Sequence, residues 1–278
     1  MPDFTINTYK ILLDIIKSAG YTSNTVEKYL EKPVNDQVIF RHDVDRLPIN
    51  SLILAQIENS KGIEATYYFR AIHYYPKNTV ISRKNPGLEI RKVIQNIKML
   101  GHETGYHYED LSACNGNMQN AWDSFRRNLD ELRKLASIST VCMHGSPLSR
   151  WDSRRLWDKY DYRTLGIVCE PYFDIDYSKV VYLTDTGRRW DGSRYNIRDK
   201  VGQRSDENYN RFHSTFDIID TLDKGWKPDV LMINTHPQRW TNNPFHWITE
   251  YIVQNAKNSI KYLVAKYRRE CAGENSSS

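Results

Sequence analysis

The chain has 278 residues, 40% hydrophobic and 26% charged, with a formal net charge of +5. Those proportions exclude a disordered or fibrous chain and suit one large domain with a real core. The longest apolar runs are about six residues, against the roughly 20 a membrane helix needs, so no membrane span is expected.

Residues 7 to 32 read as two short helices, the first being "TYKILLDIIKSAG", with apolar residues at helical spacing and Gly20 at its end. "QVIFRHDVD" (37–45) is the first expected strand. Pro48 opens a helix that carries Leu52, Ala55 and Ile57 and stops at Gly62. "EATYYFRA" is a strand, "GLEIRKVIQNIKMLG" a helix, and "HETGYH" a short strand. Residues 118–136 form the clearest helix, with Met118, Trp122, Phe125, Leu129, Leu132 and Ala136 on one stripe. "STVCMHG", "RTLGIVCE" and "KVVYLTD" read as three further strands. A helix near 213–223 precedes the apolar strand "DVLMINTHP", and "HWITEYIVQNAKNSIKYLVAKYRREC" closes the chain as a long amphipathic helix.

Strand and helix alternate every 25 to 40 residues or so, which calls for parallel strands covered by helices, in a barrel or an open sheet. No repeat or linker divides the chain. The expected organisation is an N-terminal helical segment (1–35), one barrel (36–270) and a disordered tail (271–278). Cys114, Cys142, Cys169 and Cys271 lack C-x-x-C spacing and fit a reducing compartment. With no basic, cleavable leader in "MPDFTINTYKILLDIIKSAG", a cytoplasmic location is expected. The basic surplus gathers in "RWDSRR" (150–155) and "RRWDGSRYNIRDKVGQR" (188–204). Solvated surface arginines explain such runs; so does attraction of a phosphate-bearing sugar or nucleotide sugar. No long basic tract points to nucleic acid.

The stretch "VIFRHDVDRLP" (38–48) passes from buried-strand residues straight into Arg41, His42, Asp43, Asp45 and Arg46. Desolvating so many charges costs several kcal/mol per ion unless each finds a partner. His42, His107, His144 and His236 all fall at or just past the C-terminal ends of expected strands, the edge where α/β folds build active sites. Asp43 and Asp45 share that edge, and residues two apart on a strand face the same side. Like charges held close need a cation, and mixed His/Asp ligation suits a divalent metal, zinc first, with manganese, cobalt or nickel permitted.

"RHDVD" resembles a D-x-D variant of the T-F-D-D-G motif of the polysaccharide deacetylases (carbohydrate esterase family 4, the NodB homology domain). "KGIEATYYF" (61–69) resembles the G-x-x-A-T-F-F that follows it. "MLGHETGYH" (99–107) resembles L-G-H-E-I-G-N-H, and "LMINTHP" (231–237) the last motif; the likeness spans residues 36 to about 240. The resemblance implies a distorted (β/α)7 barrel. It assigns Asp43 as catalytic base, Asp45 and His107 as metal ligands and His236 as general acid, and leaves His102 without a ligand role.

Two features depart from the family pattern. The position four residues after His107, a histidine in the family, is Leu111. The R-x-P-Y stretch is replaced by "CMHGSP", and "TDTGRRWDG" (184–192) offers Asp185, Arg189 and Trp190 as loose analogues of the fourth motif. The missing ligand is expected to be His144, an imidazole for an imidazole; Glu109 or Asp110, or a site holding no metal, are the alternatives. Arg41, Arg189, Trp190 and Trp240 are expected to bind substrate, with Trp151 a further stacking surface. The expected activity is metal-dependent removal of an N-acyl group, acetyl first, from an amino sugar on a nucleotide or lipid carrier in surface-polysaccharide assembly. Hydrolysis of a small cyclic or linear amide, or a non-catalytic sugar- or nucleotide-binding module, are the rivals.

Overall fold

The structure, a computed structural model, describes residues 1–75, 90–145, 149–190 and 212–274, with side chains as far as residue 259. In chain order the elements are α1 (Ile6–Ser18), β1 (Thr22–Asn24), α2 (Val26–Glu31), β2 (Gln37–Val44), α3 (Pro48–Ser60), β3 (Thr66–Phe69), α4 (Ile90–Met99) and β4 (Glu103–Tyr108). There follow α5 (Asp110–Ala113), α6 (Met118–Arg133), β5 (Val141–Met143), α7 (Pro171–Asp174), β6 (Val181–Thr184), α8 (Thr215–Asp223), β7 (Val230–Thr235) and α9 (Pro244–Glu274).

All strand pairings are parallel, in the order β5-β4-β3-β2-β7-β6, with β1 beside the start of β2. From β2 to β5 the chain steps one way, and the last strand, β7, returns to the free flank of β2. That is the order of a barrel. A parallel bridge between Thr140 and Cys169 carries the ring one step beyond β5, and among the described residues nothing pairs Cys169 with β6. The result is a distorted, incompletely closed (β/α) barrel.

Both faces of the sheet are buried, and strand parity sorts the residues between them. Val38, Phe40 and Val44 pack outward with α1, α3, α4 and α6 in the larger core. Ile39, Tyr68, Cys142, Cys169, Tyr182, Val230 and Met232 fill the ring interior, and Val26 and Tyr29 of α2 join them. Charged residues on β2 therefore need partners on both sides. Outward, His42 meets the buried Glu58 of α3 (Nε2 to Oε1 2.8 Å). Inward, Arg41 meets Asp43.

Register then sets the heights inside the ring. Asp43 pairs with Tyr68, Tyr68 with Gly105, and His107 with Cys142. Gly105 is required there, because a Cβ would lie 2.9 Å from the Thr140 carbonyl and closer still to the Tyr68 ring. The next inward positions past these strands carry Asp45, Arg70, Glu109 and His144.

Two expectations need correction. "RTLGIVCE" is no strand: a 3-10 turn spans Tyr162–Leu165, Gly166 takes a left-handed φ of 70°, and only the Cys169 bridge is extended pairing. The N-terminal segment is not wholly helical, since "TSN" adds β1 to the sheet. The long last helix spans Pro244–Glu274.

Candidate active site

Asp45 lies one residue beyond β2, where Leu47 turns the chain through a left-handed φ of 51° before Pro48 starts α3. Asp45 Oδ1 is buried and has no hydrogen-bond partner. Two imidazole nitrogens face it, His144 Nε2 at 3.4 Å and His107 Nε2 at 3.5 Å. The other nitrogen of each ring is committed. His107 Nδ1 lies 2.9 Å from the Cys142 carbonyl, and His144 Nδ1 3.0 Å from Glu109 Oε2. A carbonyl or carboxylate can only accept, so Nδ1 carries the proton and Nε2 of a neutral ring presents a lone pair. Three lone pairs thus converge on one point, and Asp45, His107 and His144 form a group with the spacing of metal ligands.

Such a convergence is repulsive unless a cation sits within it. The separations match the edge of a tetrahedron of ligands about 2.0–2.1 Å from a central ion, roughly 3.4 Å. The donor set therefore fits a divalent metal. Without one, protons must serve: burial opposes a charged His144, but Asp45 and Glu109 together raise its pKa. Burial likewise opposes an ionised Asp45, and His144, His107 and His236 hold its pKa well below the usual carboxylate range.

Asp43 sits one layer deeper. Arg41 Nε donates to its Oδ1 at 3.0 Å and Arg41 Nη2 to its Oδ2 at 2.8 Å, while Asn234 Nδ2 donates to Oδ2 at 3.1 Å. Burial would raise its pKa, but Arg41, with His107 and His236, pulls it down to about 2. Three of the four carboxylate lone-pair sites are taken, leaving one on Oδ1.

His236 follows β7 and points Nε2 toward Asp45 Oδ2, 3.8 Å away. Its Nδ1 lies 2.6 Å from Oδ1 of the fully buried Asp185, and its backbone N–H donates to Asp185 Oδ2 at 3.0 Å. Arg239 Nη1 donates to Asp185 Oδ1 at 2.5 Å and Trp240 Nε1 to Oδ2 at 3.0 Å. Burial notwithstanding, Arg239 and His236 keep the Asp185 pKa low. Gln238 Nε2 donates to Asp45 Oδ2 at 3.1 Å, and the exposed Arg46 pairs with Glu250 of α9 at 3.1 Å.

The structure brings Asp43, Asp45, His107, His144 and His236 together. Three of the expected substrate contacts are corrected. Arg41 is fully buried in its fork with Asp43. Trp190 and Trp240 are core residues, packed with Phe4 and, for Trp240, Tyr9, because their indole N–H groups find internal acceptors in Thr215 and Asp185. Arg189 is exposed, Trp151 is half-buried against Gly116, and residues 191–204 of the arginine-rich run lie outside the described residues. His42 and His102 face the helix layer around Glu58, away from the site. Leu111 is core, and Asp110 is turned to Tyr106, Ser124 and Asn128. Asn234, Gln238 and Arg239 were missed; their nearness to His236 in "NTHPQR" was the available signal.

No family model matches the chain, and no curated protein matches it. Among solved structures it is similar to a CE4 esterase from Streptococcus mutans, at 14% identity over 91% of each chain, with a TM-score of 0.43. It is also similar to a family 4 carbohydrate esterase from Bacillus anthracis, at 10% identity over 90% of this chain and 86% of that one, with a TM-score of 0.37.

Proposed function

We propose that the chain is a metal-dependent hydrolase that removes an N-acyl group, acetyl first, from an amino sugar. The observation behind this reading is the convergence of the Asp45, His107 and His144 lone pairs, with a carboxylate and an imidazole from Asp43 and His236 each within 4 Å of that group. Asp45, His107 and His144 would hold the ion, zinc by the mixed His/Asp donor set. When bound, it supplies Lewis acidity toward an amide carbonyl and toward water.

The remaining roles belong to side chains. Asp43 is ionised at neutral pH, and its free Oδ1 lone pair is available for a proton. With a pKa of about 2 it is a weak base, suited to a proton donor that is already acidified. Arg41 and Asn234 fix the carboxylate so that this lone pair has one direction. His236 holds Nε2 in the cleft, where it would protonate the leaving amine, otherwise a poor leaving group. Asp185 accepts a hydrogen bond from Nδ1–H, which fixes the ring with Nε2 toward the cleft.

A sugar carried on a phosphate-bearing nucleotide or lipid in the cytoplasm is the proposed substrate, on the strength of the exposed Arg150, Arg155 and Arg189 in the two Arg-rich stretches. No helix among the described residues is long and apolar enough to cross a membrane. Metal analysis of the purified protein, with an acetate-release screen over N-acetylated nucleotide sugars, tests the reading. Stoichiometric metal with acetate release is the expected result. Metal-free protein that still binds sugars would point instead to a non-catalytic module.

A further inference from the structure

Glu109 and Arg70 play no part in the mechanism above, yet both reach its edge. Glu109 sits in the turn between β4 and α5, is 8% exposed, and places Oε2 3.0 Å from His144 Nδ1. Its other oxygen, Oε1, is gripped by the Arg70 guanidinium, Nε at 2.7 Å and Nη2 closer still. Arg70 follows β3 and is itself held. Its guanidinium lies over the Tyr74 ring at 4.4 Å, and its backbone N–H donates to the Tyr75 hydroxyl at 3.1 Å. That hydroxyl donates in turn to the Val44 carbonyl, one residue before Asp45. A chain of contacts therefore leaves the end of β2, passes through β3 and β4, and arrives at the ring nitrogen of His144 that faces away from Asp45.

We propose that Glu109, clamped by Arg70, is a positioning residue. It fixes the His144 tautomer and ring orientation so that Nε2 becomes the third donor of the metal centre. The proposal rests on the reading of Asp45, His107 and His144 as that centre. His144 needs such a brace more than His107 does. His107 lies within β4, with Nδ1 on a strand carbonyl, whereas His144 follows the last residue of β5 and its side chain is 18% exposed. An unbraced ring there could rotate, or move its proton to Nε2, and either change removes the donor. A carboxylate behind a ligating imidazole prevents both and makes the ring a stronger donor. Charge also matters. Glu109 lies between the His144 ring and the Arg70 guanidinium, so Arg70 offsets the carboxylate and the centre does not gain a full negative charge.

The test is Zn²⁺ affinity of the full-length, chelator-stripped protein, measured by competition with a chromophoric chelator, with the visible spectrum of the Co²⁺-loaded protein as a second readout. Glu109→Ala should weaken Zn²⁺ binding roughly 10- to 100-fold and alter the Co²⁺ bands. Glu109→Gln keeps an acceptor for Nδ1–H and should recover part of the loss. Arg70→Ala should weaken binding in the wild-type background and add little in Glu109→Ala, because it acts through the same carboxylate. Circular dichroism of each stripped variant checks that the fold is retained. Unchanged affinity and spectrum in Glu109→Ala would overturn the proposal while leaving the metal centre in place. Wild-type protein that binds no Zn²⁺ would overturn the reading of the centre, and this proposal with it.

Discussion

Asp43→Asn is the natural variant with which to remove the proposed base, and the structure says it will do more than that. Arg41 is fully buried, and its Nη1 already lacks a partner, so Asp43 is the acidic side chain that balances its charge. An asparagine offers one acceptor to a fork that uses two and leaves the guanidinium charge uncompensated. Breaking a buried pair from one side costs about 3–5 kcal/mol, which in a chain of this size is roughly 10 °C of Tm. Arg41→Met/Asp43→Asn should regain most of that stability, because no buried charge is left over. Both variants should keep metal, and both should lose turnover by roughly 100-fold or more, as for a missing general base. The pH dependence adds a check. The folded-state pKa of Asp43, about 2, lies below its ordinary value. Its stabilising contribution, about 2 kcal/mol, is therefore present above pH ~4 and lost as the pH falls through 2; Asp43→Asn should remove that part of the acid slope. Urea unfolding, metal content and acetate release measure the three quantities. If Asp43→Asn is as stable as wild type, or the double variant is no more stable than the single, the fork is not what holds Arg41. If turnover survives, the base lies elsewhere.

His144→Ala should lose metal as completely as Asp45→Ala or His107→Ala, whereas Asp110→Asn should retain it; elemental analysis after dialysis decides, and retention in His144→Ala would return the third ligand to Glu109. His236→Ala should lower amide hydrolysis with little change in metal, and an aryl acetate, whose phenolate leaves without a proton, should suffer much less; equal losses would remove His236 as the acid. Glu170 is buried and accepts from Tyr108, Met143 and Tyr172, and burial raises its pKa to about 7. The folded state therefore keeps its proton where the unfolded state has lost it, so stability falls as pH rises from about 4.5 to 7. Glu170→Gln should gain on wild type across that window, by about 3 kcal/mol at its top; parallel unfolding curves at pH 5 and pH 8 would contradict this.

Much of the site could be read from the sequence because strand chemistry has a short period. "QVIFRHDVD" and "DVLMINTHP" are apolar runs that stop at polar residues, and parity alone puts Asp43 and Asp45 on one face. Parity also explains the misreadings. Arg41 shares the inward face, but whether it meets substrate or Asp43 depends on a side-chain fork that no periodicity records. Trp190 and Trp240 follow strand ends, as stacking residues do. Their burial depends on Phe4, Tyr9 and α1, which are distant in sequence. The pairing of Asp185 with His236 spans 51 residues and has no local signature. "TSN" is too short and too polar to announce a strand, and "RTLGIVCE" failed because Gly166 turns where extended chain was expected.

The position of His144 beside Asp45 and His107 follows from the same geometry. Four positions after His107, the short helix α5 sends Leu111 into the core between sheet and helices. The next strand offers an equivalent approach. His107 is in register with Cys142, so the residue two beyond Cys142 faces inward one layer above, at the rim where Asp45 also ends. That residue is His144. Neighbouring parallel strands place their inward residues a few ångströms apart, and a donor can be supplied from either strand without moving the others. What cannot transfer so easily is the support behind the ring, because a histidine past a strand end lacks the strand carbonyl that His107 uses. Glu109 stands at the point where that support is needed, and a charged brace there needs a counterion. The Arg70 fork at Glu109 supplies that counterion.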